Sequence, residues 1–151
     1  MFRDYQLTEL IDWIHGVTNE KIGEDLISEL KSGVILCKLA NAIIPNSVKN
    51  IYPSEDAFGV IENIANFIKL CKTSFQLNII FREEDLVHEQ GDKLKVLNSL
   101  YELAQLVHLY NPKLPQLKDK PESFVYSKKL LEIAVQYTIR QMCHSLSPRS
   151  I

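Results

Sequence analysis

Apolar positions repeat at three and four residues along most of this chain, the spacing of one helix face. Leu7, Leu10, Ile11 and Ile14, with Trp13 beside them, predict a first helix over Asp4–His15. Gly16 is placed to end it, and a polar connector, Val17–Gly23, follows. Asp25 is a candidate N-cap for a short helical piece carrying Leu26, Ile27 and Leu30. The segment Lys31–Ile44 is apolar on most sides, through Val34, Ile35, Leu36, Leu39, Ala40, Ile43 and Ile44. A helix of that kind belongs at the centre of a core. Pro45-Asn46-Ser47 stops it, and Val48–Ser54 is a loop whose Tyr52-Pro53 step disfavours helix.

Phe58–Lys72 is the next amphipathic stretch, with Phe58, Ile61, Ile64, Ala65, Ile68 and Cys71 predicted on its core stripe. Phe75–Phe81 has strand-like composition but no second strand to pair with, so it is expected as an extended, buried connector. Arg82–Glu89 is a short acidic helical turn, broken by Gly91. Asp92 then caps a helix over Lys93–Leu109, with Leu94, Leu97, Leu100, Tyr101, Ala104 and Val107 at helical spacing. Asn111-Pro112 closes the domain. The expected organisation is one domain over 1–110, a linker over 111–121, an amphipathic helix over 122–146 and a frayed end over 147–151. The last helix aligns Leu131, Val135, Thr138, Met142 and Leu146, an apolar stripe that needs a cover, either its own body or a second chain as a dimer.

Composition adds an ordinary globular balance, with 46% hydrophobic and 24% charged residues in 151. No apolar run approaches a membrane span, and no signal peptide is visible. Cys37, Cys71 and Cys143 are far apart, odd in number and set among apolar residues, which predicts buried reduced thiols. Together with the lack of an Asn-x-Ser/Thr acceptor, this favours the cytoplasm. The net charge of −2 hides an asymmetry: residues 1–109 carry 10 Lys/Arg against 16 Asp/Glu, and residues 110–151 carry 7 against 3. A basic tail on an acidic body suits an anionic partner, or simply docks on that body.

Sites for chemistry are absent. His88-Glu89 would need a histidine at position 92 to resemble a zinc protease, and Asp92 stands there. The histidines are scattered, the five glycines are isolated, and Ser28, Ser32 and Ser47 lack a nucleophile-elbow setting. Glu83, Glu84 and Asp85 are accounted for as residues at the positive end of a helix. The expectation is a non-enzymatic protein with no cofactor and no metal.

Five ordered segments resemble those of a calponin-homology domain over roughly residues 5–109. They are Asp12-Trp13-Ile14, Lys31-Ser32-Gly33-Val34-Ile35-Leu36-Cys37-Lys38-Leu39 followed by Asn41, Ile61-Glu62-Asn63-Ile64, Asp85-Leu86 with Asp92, and Val96–Leu100. Ser32 stands where the family usually has Asp, and Ile61 where it has Met. The resemblance implies an all-α fold of four main helices with short connecting ones. It implies structural roles for Lys38, Asn41, Glu62 and Asn63, and a core that includes Trp13, Leu36, Leu39, Ile64, Phe67, Leu97 and Leu100. The wording Leu-Cys-Lys-Leu is similar to single-domain calponins and transgelins. Residues 111–151 contain no glycine, so the glycine-containing repeat of those relatives is missing. The function implied is a cytoplasmic, cytoskeletal module that binds, bundles or stabilises filamentous actin. The alternative is a signalling adaptor of the Rho-exchange-factor or IQGAP kind that grips a protein partner. Nucleic acid is not an expected partner. Lys118, Lys120, Lys128 and Lys129 form the densest basic cluster and are the candidate partner-binding residues.

Overall fold

A computed structural model describes residues 3–77 and 80–117, without the side chains of 108–110. The described residues form six helices and no strand: α1 Asp4–Thr18, α2 Leu26–Leu30, α3 Val34–Ile43, α4 Ala57–Thr73, α5 Glu83–Val87 and α6 Lys93–Tyr110. Four are long, and α2 and α5 are short connecting turns, so the all-α expectation holds. The helix expected over 122–146 lies outside the described residues.

The central helix is α3, which packs on α4 and α1, while α1 also packs on α6. Its core face is Leu36, Cys37, Leu39, Ala40 and Ile43. It is shorter than its apolar run. Gly33 sits in the left-handed region at φ 73°, which ends the turn Lys31–Gly33 and starts α3 at Val34 rather than Lys31. A side chain at Gly33 has no room, since a Cβ there lies 2.6 Å from the Asn63 Cβ. Ser32 Oγ accepts from the Val34 backbone N–H at 3.2 Å, the service an Asp in its place can also give.

Three aspartates start helices by accepting from backbone N–H groups: Asp25 from Ser28, Asp56 from Gly59 and Asp92 from Lys95. Gly16 does not end α1. The helix continues to Thr18 and closes on Asn19, at φ 60°. Gly16 instead leaves space for a later segment, because a Cβ there meets the Pro115 ring at 3.3 Å. The indole Nε1–H of Trp13 donates to the Pro115 carbonyl at 2.8 Å, Leu114 is half-buried and Leu117 is buried. The chain after α6 therefore lies as a strap across α1 as far as Leu117.

The connector after α4 is buried at Phe75, Leu77, Ile80 and Phe81. Phe81 stacks on Phe67, with ring centroids 6.3 Å apart. Its backbone N–H donates to Ser99 Oγ on α6 at 3.2 Å. Lys93 Nζ donates to the carbonyls of Asp85, Leu86 and His88 and so closes the end of α5. Gly91 is required there because a Cβ lies 2.4 Å from the carbonyl oxygens of Glu84 and Asp85.

Candidate interaction surfaces

The inner side of the site is a polar junction around Asn63, which is fully buried on α4. Its side-chain oxygen accepts from Tyr52 N–H at 2.9 Å, and its amide donates to the carbonyls of Tyr52 at 2.9 Å and Ser32 at 3.1 Å. The Cys37 thiol donates to the Asn63 carbonyl at 3.3 Å. One side chain thus ties α4 to the turn before α3 and to the loop before α4, and it satisfies groups that are costly to bury unpaired. Asn41 holds the turn after α3 in the same manner, exchanging two bonds with Val48. Lys38 pairs with Glu20 at 2.6 Å while both are about 40% exposed, a geometry that contributes little stability. Glu62 departs from the structural role that the resemblance implies and lies exposed in the wall of an open cleft that Lys69 also lines.

Asn63, Gly59, Ile64, Phe67 and Cys71 define the inward face of α4. That choice turns two residues of the expected stripe outward. Phe58 is 85% exposed and Ile61 is 49% exposed. The 3.6-residue period gave the right helix but a stripe rotated toward solvent, because a buried Asn and a glycine, both non-apolar by pattern, occupy the core side. Gly59 lies under Tyr52, whose Cβ is 2.3 Å from where a Cβ of its own would be. On α6 the pattern slips similarly. Leu94 is 43% exposed and Leu97 half-buried, while Val96, Leu100, Leu103 and Leu106 are inside. Trp13, Leu36, Leu39, Ile64, Phe67 and Leu100 are all at most 2% exposed.

Three further features line the surface. A basic-rimmed cleft of ≈ 560 Å³ carries Lys72, Arg82 and Lys95 over Ile68 and Phe81, with Glu83 and Glu84 at one side. A groove of ≈ 380 Å³ beside α1 has Leu7, Ile11 and Ile22 as its floor and Asp4, Asp12 and Glu24 on its rim. The outward pair Phe58 and Ile61 stands apart on α4. The expected binding lysines Lys118, Lys120, Lys128 and Lys129 lie outside the described residues.

Burial pushes the Cys37 thiol up to about 11 and raises Cys71 further, so both are inert thiols. Burial, then the hydrogen bond to Glu9, pushes the Tyr101 phenol up to about 12. The backbone N–H of Arg82 holds Asp85 below its usual range. Among the described residues, no group of His, Cys, Asp and Glu is placed to hold a metal ion. No described helix is long and apolar enough to cross a membrane.

Comparison with known proteins meets this arrangement. The model of the calponin homology (CH) domain matches residues 5–111. Mouse calponin-2 is 42% identical over 98 residues, 64% of this chain and 32% of that protein. The Ras guanine nucleotide exchange factor P of Dictyostelium discoideum is 37% identical over 97 residues, 64% of this chain but 6% of its own length. The chain therefore matches one domain of longer relatives. The calponin-homology domain of an IQGAP protein from Schizosaccharomyces pombe has the same fold, with a TM-score of 0.66 at 23% identity, over 91% of this chain and 89% of that one. Matched by the family model over most of its length, the chain belongs to the calponin-homology family, whose members are non-catalytic binding modules.

Proposed function

We propose that this chain is an actin-cytoskeleton module that binds the side of a filament and stabilises or bundles it. The observation that carries the reading is its 42% identity to calponin-2 across the domain. The outward placement of Phe58 and Ile61 supports it, since a large aromatic at 85% exposure is a natural interface anchor. Lys118, Lys120, Lys128 and Lys129 supply the charge that an acidic filament attracts. Bundling needs two contact sites, and the 122–146 segment provides the second, by its own contact or by pairing two chains. On this reading the protein works on the cytoskeleton within the cytoplasm. High-speed co-sedimentation with filamentous actin tests the reading.

A second reading is a signalling adaptor that grips a protein partner and leaves filaments alone. The 37% identity to a domain of a Ras exchange factor favours it. Absence of co-sedimentation at every salt concentration selects this reading over the first.

A further inference from the structure

We propose that the groove beside α1 is the seat of the chain's own amphipathic segment, residues 122–146. The groove has an apolar floor of Leu7, Ile11 and Ile22, and its rim carries the carboxylates of Asp4, Asp12 and Glu24 with no basic residue among its lining. It therefore fits a helix with one apolar face that carries a lysine at its end. Residues 122–146 have that pattern, with Leu131, Val135 and Leu146 in line and Lys128 one turn before Leu131 on the same side.

The strap delivers that segment to the right place. Pro115 rests on Gly16 and is held by the Trp13 indole, so the chain crosses α1, the same helix that supplies Leu7 and Ile11. Thr8, in the groove, is eight residues from Gly16, about 12 Å along the helix. The five residues from Leu117 to Glu122 extend to about 17 Å, enough to cover it. The body over 1–109 and the tail over 110–151 also have opposite net charge, which favours the contact at low ionic strength. Seated there, Lys128 faces the groove's own carboxylates and is withdrawn from any external acidic partner. The groove is thus an internal competitor for the tail. The inference does not depend on which partner that is.

Zero-length carbodiimide coupling of the full chain tests it, because the reagent joins a carboxylate to an amine only where the two touch. Equal amounts of unlabelled and heavy-nitrogen protein are mixed when dilute, coupled and mapped by mass spectrometry. The expected links join Asp4, Asp12 or Glu24 to Lys128 within single copies. Their yield drops several-fold between about 0.15 M and about 1 M salt, as the screening length falls from about 8 Å to about 3 Å. Ile22→Ser, which removes floor contact but no carboxylate, lowers the yield in a protein whose melting shows it folded. Links that join differently labelled copies as often as like-labelled ones place a second chain in the groove and overturn the intramolecular seat. Tail lysines joined only to other carboxylates, or to none, overturn the groove itself.

Discussion

The indole N–H of Trp13 donates to the carbonyl of Pro115 at 2.8 Å, joining the first helix to the segment that follows the last one, 102 positions away. Trp13 is 2% exposed, so its ring fills the core while its one polar atom fastens the strap. Trp13→Ala removes both and is expected to lower stability by about 3–5 kcal/mol. Trp13→Phe keeps much of the ring and loses the bond, for about 1 kcal/mol. Thermal melting distinguishes them. Two equal, small shifts mean that the ring is not packed as described.

Asn63 makes a sharper case. Asn63→Ala leaves Tyr52 N–H and two carbonyls without their partner inside the protein. The expected loss is about 3 kcal/mol or more, beyond what the few lost atoms alone predict. Denaturant titration reads it, and a loss under about 1 kcal/mol shows water taking over those bonds.

These two residues also mark what the sequence disclosed. Trp13 was legible as core through the family resemblance, in a triplet that stands beside an apolar repeat. Asp25 and Asp92 were legible as caps because a short acceptor before a helix satisfies free N–H groups. Asn63 was recognisable only through its family motif, and its bonds run to positions 11 and 31 residues away that no local pattern links. Phe58 and Ile61 were placed inside for the same reason in reverse: the inward face of α4 is decided by Asn63 and Gly59, which an apolar count overlooks. Gly16 resembled a helix end, yet it is a contact point for Pro115, and a contact between distant segments leaves no periodic trace.

The outward pair gives a contrast between stability and binding. Phe58→Ser with Ile61→Ser is expected to change stability by about 0.5 kcal/mol or less, as for exposed positions. Phe67→Ala, on the inward face of the same helix, is expected to cost about 3–5 kcal/mol. A destabilisation of the outward double variant as large as that of Phe67→Ala reverses the assignment of the faces.

Tyr101 donates to Glu9 Oε2 at 3.0 Å, and its phenol is pushed up to about 12 by burial first and by that bond second. The folded protein thus holds this proton more tightly than the unfolded chain, whose tyrosines ionise near about 10. The stability this contributes is complete below about pH 10 and is lost as pH rises through the folded value. Tyr101→Phe is expected to flatten that alkaline limb of the stability curve. An unchanged limb assigns the loss to other groups.

Filament binding is the central claim, and high-speed co-sedimentation of the full chain with filamentous actin reads it most directly, at low and at physiological salt. The chain is expected to pellet saturably, less at the higher salt because exposed charges are screened over about 8–10 Å. Phe58→Ser with Ile61→Ser, and separately Lys128→Glu with Lys129→Glu, are expected to reduce the pelleted fraction of folded protein. A chain that stays in the supernatant at both salt concentrations, with filaments at saturating amount, contradicts the claim.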